Sequence, residues 1–228
     1  LYPALKEVPQ HIPIVCTFHD VVDGARWPAL ETVAQLPNIR FIGISRAQFQ
    51  KSPMGSDFVV PNGVHMSQFV PSAMDLVDRP LLAVGRIVPE KGFTDAVAAA
   101  KKSGIRLMIV GQRYEDNAIA RKYFDTEIQP NIDGKSLIWE PVVAREHLLG
   151  HYQGARALLF PIHWEEPFGL VMIEAMACGT PVIAYNRGSV SEIIKDGVNG
   201  FIVVSVTEAR AKIRLILKNE SLRSEEHT

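Results

Sequence analysis

The 228-residue chain sets 24 lysines and arginines against 25 aspartates and glutamates, a formal charge of −1, and 47% of its residues are hydrophobic. That balance excludes a nucleic-acid binder, which needs a basic excess to neutralise phosphates, so any anionic ligand must be met by locally placed cations. It also lacks a membrane span of ~20 apolar residues: the longest candidate, Gly169 to Tyr185, is broken by Glu174 and by Gly179-Thr180-Pro181.

In chain order, strands are predicted at Ile14–Phe18, Arg40–Ile44, Phe58–Val60, Leu81–Val84, Arg106–Val110, Ser136–Ile138, Ala157–Phe160, Val182–Ala184 and Phe201–Val204. Helical periodicity intervenes at Thr94–Lys102, Glu115–Ile128, Arg145–Gly154, Leu170–Cys178 and Thr207–Lys218. Alternating strand and helix implies an α/β fold with parallel sheets covered on both faces. The near-continuous apolar runs LLAV, LMIV and ALLF fit burial from two sides. Between Pro61 and Pro80 the chain holds Asn62-Gly63, Pro71 and Ser72 with weak periodicity, so a linker is expected there. The expected organisation is a partial N-terminal domain over 1–60, a linker over 61–80 and a second domain from 81 to 228. The first is too short for a complete nucleotide-binding type of domain. The chain does not begin with Met and shows no signal peptide, so its native start is expected upstream. Cys16 and Cys178 stand singly in apolar stretches and read as free buried thiols, which points to a reducing, cytoplasmic compartment.

Ligands of open parallel sheets bind beyond the carboxyl ends of strands. After Leu81–Val84 comes Gly85-Arg86-Ile87-Val88-Pro89-Glu90-Lys91-Gly92, where Arg86 and Lys91 stand near two glycines. Arginine grips phosphate oxygens in a bidentate way and lysine adds a point charge. The loop is neither a Walker A sequence nor a GxGxxG fingerprint, and alone the two cations are compatible with an ordinary surface. After Ala157–Phe160, Glu166 and Glu174 are separated by PFGLVMI. A helix beginning near Phe168 or Gly169 would offer unpaired N–H groups and a positive dipole end to a diphosphate. Glu174 shares a face with Leu170, leans toward that end, and can accept bonds from two vicinal hydroxyls, as on ribose. The helix is apolar nearly all round, so Glu174 is expected to be buried and to need a ligand or a basic partner.

These segments resemble the family 4 glycosyltransferases of GT-B architecture. The resemblance runs from about Pro61 to Val204: PNGV (Pro61–Val64) with Phe69 and Pro71, VGRIVPEKG (Val84–Gly92), EEPFGLVMIEAMACGTPVIA (Glu165–Ala184) and GSVSEIIKDGVNGF (Gly188–Phe201). It implies two facing Rossmann-like domains, the first incomplete, and retaining transfer from a nucleoside-diphosphate sugar. Arg86 and Lys91 match the diphosphate-binding pair, Glu166 the glutamate near the donor sugar, and Glu174 the one holding ribose. Gly85 and the backbone at Phe168, Gly169 and Leu170 would meet donor oxygens. Glu140 to Val142 lies where the nucleobase is placed. His19 resembles the N-domain histidine facing the sugar. His163 and Trp164 are candidates for the sugar or acceptor side, or for packing. His65 departs from the acidic residue usual after PNGV.

No Asp-x-Asp pair stands in the cleft loops, so no metal and no cofactor are expected. Acceptors of such enzymes range from lipids to small metabolites, which keeps peripheral membrane contact open, although Lys6, Arg26, Arg40, Arg46 and Lys51 form no cluster. Two alternatives stand beside transfer: a non-catalytic sugar-nucleotide-binding module, and a sugar-nucleotide epimerase of the same architecture.

Overall fold

The computed structural model describes residues 2–20, 31, 33–50, 58–71, 78–141 and 144–218. Strands β1 (Ile14–Phe18), β2 (Ile39–Gly43) and β3 (Phe58–Val59) form one parallel sheet in the order β1-β2-β3. Ile39 and Phe41 alternate onto one face of β2 and cluster with Val33 and Phe49. Phe18 stacks on Phe41 with ring centroids 5.5 Å apart.

The second sheet comprises β4 (Leu81–Val84), β5 (Leu107–Val110), β6 (Leu137–Glu140), β7 (Ala157–Phe160), β8 (Val182–Tyr185) and β9 (Gly200–Val203). Its order is β6-β5-β4-β7-β8-β9 and every pairing is parallel. The helices are α1 (Phe93–Ser103), α2 (Ala118–Tyr123), α3 (Arg145–Gly154), α4 (Leu170–Ala177), α5 (Val190–Ile193) and α6 (Val206–Lys218). Successive strand residues point to opposite faces. Leu81, Ala83, Leu107 and Ile109 therefore join Val97, Ala100, Ile213 and Ile216 of α1 and α6 in one core. Leu82, Leu158, Val182 and Ala184 join Tyr152, Met172 and Ala175 of α3 and α4 in the other. Burial on both faces explains why these strands read as unbroken apolar runs.

Three expectations shift. The predicted helix Glu115–Ile128 is α-helical only over Ala118–Tyr123 and continues as a wider π turn over Phe124–Ile128. Asn117 sets its start, because its side chain accepts from the N–H groups of Ile119 and Ala120. Trp139 and Glu140 belong to β6 rather than to the loop after it, in register with Ile109 and Val110. The four-residue α5 was not foreseen, being too short to show a period. Among the described residues no helix is long and apolar enough to cross a membrane.

Candidate active site

In the six-stranded sheet the connections run outward in opposite directions from the β4–β7 pair. A crevice opens at such a switch point, outside the carboxyl ends of the two central strands. The loops that flank it are 85–92, after β4, and 161–169, after β7. The sheet order thus brings the basic loop and the acidic loop together.

The two loops interlock. Pro89–Lys91 form a 3-10 turn that ends at Gly92, with φ 68°. A Cβ at Gly92 would lie 1.8 Å from the carbonyl oxygen of Pro161. Only glycine tolerates both the left-handed conformation and this approach. Across the same seam the His163 N–H donates to the Glu90 carbonyl at 2.8 Å.

Lys91 Nζ then meets Glu166 Oε2 at 2.7 Å, with the two side chains only 13% and 10% exposed. Trp164 Nε1–H donates to the same oxygen at 3.0 Å, and the Lys91 ammonium sits 4.5 Å from a ring centroid of Trp164. Pairing and the cation–π contact offset the cost of taking both charges out of water. An ammonium has three donors, so this bond leaves two for an anionic ligand. Arg86 is exposed, and among the described residues its guanidinium has no ion-pair partner. Among the described residues the cationic pair therefore consists of one partly buried, ion-paired charge and one exposed charge without an ion-pair partner.

The acidic loop is held from behind by the start of α5. A Cβ at Gly188, with φ 56°, would fall 2.2 Å from the Glu166 carbonyl oxygen. The Gly188 N–H donates to Glu165 Oε2 at 2.7 Å and the Ser189 N–H to the Glu166 carbonyl at 2.9 Å. The buried Ser189 hydroxyl donates to the Phe168 carbonyl at 2.8 Å. The chain thus enters α4 along a fixed path.

Gly169 is the N-cap of α4, with no side-chain cap and no acidic residue in the first turn. The first N–H groups of a helix have no intrahelical partner and carry its positive end. Leu170 opens the helix and is 44% exposed, while Phe168 is buried. Glu174 is half-buried rather than fully buried, because the α4 face it shares with Leu170 opens outward and only Met172 and Ala175 are enclosed. Its Oε2 accepts from the Tyr152 hydroxyl at 2.8 Å. Among the described residues no basic side chain pairs with it. Burial, and next the Glu174 charge, raise the Tyr152 phenol well above its ordinary range, so it stays protonated and donates. The same two causes push the Cys178 thiol up to about 12.

Other expected residues lie farther out. Gly85, at the end of β4, donates to the Val110 carbonyl at 3.1 Å. Glu140 ends edge strand β6 and pairs with His151 Nε2 at 2.7 Å. Val142 lies outside the described residues. His19 is exposed just past β1. The carbonyls on either side of it, at Phe18 and Asp20, accept from Gln48 Nε2 at 2.9 and 2.6 Å. His163 does not pair within the acidic loop: its Nε2 is 3.2 Å from Asp95 Oδ2, which also accepts from the Tyr185 hydroxyl. Glu192 of α5 accepts from the N–H groups of Arg46 and Ala47 at 2.9 and 2.7 Å, joining the β1–β3 unit to the larger one. Tyr152, Ser189 and Glu192 were not singled out from sequence. No spacing advertises them, since each acts on a partner distant in the chain.

The family model for the group 1 glycosyl transferases matches residues 69–226. This chain belongs to that family. Among its relatives is a D-inositol 3-phosphate glycosyltransferase of Geodermatophilus obscurus, 32% identical over 73% of this chain and 41% of that protein. A lipopolysaccharide 1,2-N-acetylglucosaminetransferase of Salmonella typhimurium is 28% identical over 67% of this chain and 44% of its own length. The chain spans between 35% and 44% of the length of such curated relatives. In fold it resembles the sucrose-phosphate synthase of Thermosynechococcus elongatus, with TM-score 0.77 and 24% identity over 93% of this chain and 60% of that one. It also resembles HepE of Anabaena, solved with UDP and glucose, with TM-score 0.77 and 20% identity over 94% and 64%. The architecture is GT-B, with parallel sheets.

Proposed function

We propose that this chain carries the donor half of a retaining, nucleoside-diphosphate-sugar-dependent glycosyltransferase. The observation that carries the reading is the uncapped first turn of α4, flanked by Glu166 with its Lys91 partner before it and by Glu174 along it. A diphosphate on that turn would have the sugar on the Glu166 side and ribose on the Glu174 side. The relatives named above are sugar transferases, and HepE was solved with UDP and glucose, which supports a donor of this class.

In retaining transfer the anomeric carbon gains oxocarbenium character while negative charge grows on the departing diphosphate. Arg86, the free donors of Lys91 and the N–H groups at Phe168, Gly169 and Leu170 stabilise that charge. These fixed charges supply what a divalent metal supplies elsewhere, so the reaction is metal-independent in this reading. Glu166, bonded to both Lys91 and Trp164, orients the sugar, and His19 faces it from the β1 side. Glu140 and Val142 border the nucleobase. The acceptor attacks from the leaving-group face. The setting is cytoplasmic, where the free thiols Cys16 and Cys178 stay reduced.

Calorimetric titration of the chain with UDP, ADP and GDP tests the site. Binding of at least one of them, weakened by more than about tenfold in Lys91→Met, is the expected result. Binding by none refutes the assignment. Transfer itself is read with the complete gene product and radiolabelled sugar nucleotides.

A further inference from the structure

The α3 side chain behind Glu174 has no assigned part in donor binding. Tyr152 is completely buried, and its hydroxyl donates to Glu174 Oε2 at 2.8 Å. The residue is held at two points, one on its ring and one on its main chain. Phe69, from the stretch between the two sheets, tilts against it at 6.4 Å between centroids. The buried Thr180 hydroxyl donates to its main-chain carbonyl at 2.5 Å. Thr180 follows Gly179 in the turn between α4 and β8, so the two ends of α3 and α4 are pinned together at the tyrosine. The phenol is therefore an immobile donor, kept protonated by its enclosure, aimed at one oxygen of a carboxylate whose helix face is otherwise open.

A glutamate on an open helix face samples several rotamers, and ordering such a side chain costs entropy when a ligand binds. A fixed donor on Oε2 removes that freedom beforehand. It leaves Oε1, and one lone pair of Oε2, available as a two-point acceptor. A vicinal diol presents two hydroxyl donors at matching separation. We propose that Tyr152 is a positioning residue that pre-sets Glu174 to accept the two ribose hydroxyls, and so makes the site selective for ribonucleotides over analogues that lack those hydroxyls. The proposal rests on the reading of Glu174 as the ribose acceptor.

The test compares the tightest-binding of UDP, ADP and GDP with its 2′,3′-dideoxy form, by calorimetry, in wild type, Tyr152→Phe and Glu174→Ala. Wild type prefers the ribonucleotide by about 150-fold or more, the worth of two hydrogen bonds to a charged group at the low end of their range. Glu174→Ala abolishes the preference. Tyr152→Phe cuts it by about tenfold while the affinity for the dideoxy form stays at the wild-type value. If Glu174→Ala loses the preference and Tyr152→Phe keeps it in full, Tyr152 only fills space and the inference falls alone. If Tyr152→Phe weakens both nucleotides equally, its part is general packing, which also overturns it. If Glu174→Ala keeps the preference, or wild type binds no nucleotide, the reading of Glu174 falls and takes the inference with it.

Incorporating 3-fluorotyrosine at position 152 keeps the hydroxyl and gives a second readout should the phenylalanine variant not fold. Its fluorine resonance is expected to shift with the ribonucleotide and to stay within line width with the dideoxy form. Equal shifts, or none, would count against the proposal.

Discussion

The Lys91–Glu166 pair offers the sharpest quantitative test. At 2.7 Å and an effective dielectric of ~20 the gross attraction is about 6 kcal/mol. Desolvation of both groups takes back most of it, and the pair's net worth against an apolar replacement is small. Removing one partner is different. Lys91→Met leaves Glu166, only 8% exposed, with the Trp164 indole as its remaining donor. Glu166→Gln leaves the Lys91 ammonium enclosed by Trp164 and Phe160 without a counter-charge. Each single variant is expected to lose about 3 kcal/mol in urea unfolding, and the double variant markedly less than their sum, with a coupling of about 2 kcal/mol. The same variants separate the two roles. Lys91→Met weakens nucleoside diphosphate binding by more than about tenfold, the loss of one charge-assisted contact. Glu166→Gln retains or tightens it, because the ammonium is released toward the phosphates, yet lowers transfer in the complete gene product. Stabilities that add within about 0.5 kcal/mol would refute the coupling, and diphosphate binding lost equally in both variants would refute the division of labour.

Gly188→Ala places a methyl 2.2 Å from the Glu166 carbonyl oxygen at a positive φ, and should cost about 2–4 kcal/mol in thermal unfolding and weaken nucleotide binding. A wild-type melting curve would show that the loop has another route past α5. Asp133 accepts from the N–H groups of Leu137, Lys135 and Ser136, which lowers its carboxyl from 3.8 to about 2. A lowered folded value means that its stabilisation is complete above about pH 4 and is lost as pH falls toward 2. The gap in melting temperature between wild type and Asp133→Asn should therefore shrink over that interval, and a constant gap would contradict the assignment. For Cys178 the shift is upward, to about 12, so its contribution is full below about pH 9 and lost as pH rises to 12. The thiol should resist iodoacetamide at pH 8 in the folded chain and react at once in urea. In the complete gene product, added EDTA should leave transfer unchanged, and complete loss would overturn metal independence.

Much of the larger sheet was legible because its strands are buried on both faces: LLAV, LMIV and ALLF need no partner to announce themselves. β6 was cut short because Trp139 and Glu140 sit at an edge, where polarity resembles a loop. The helix after Glu115 was drawn too long, since its apolar residues continue through the π turn and the capping role of Asn117 competes weakly with that period. At the site, Lys91 and Glu166 could each be picked out by type and loop, but not their bond. They are 75 residues apart in sequence, and only the adjacency of β4 and β7 joins them. Tyr152 was illegible for a related reason. A tyrosine in HYQG looks like any helical aromatic until α3 is laid beside α4.

The seam between Gly92 and Pro161 has a consequence for how such a site can diversify. Because the cation-bearing turn is keyed directly into the backbone of the carboxylate-bearing turn, the two do not drift separately. A substitution that reshapes the sugar side also displaces the phosphate grip, so changes of donor preference should arise as paired replacements across the seam, with each single step less fit than either endpoint.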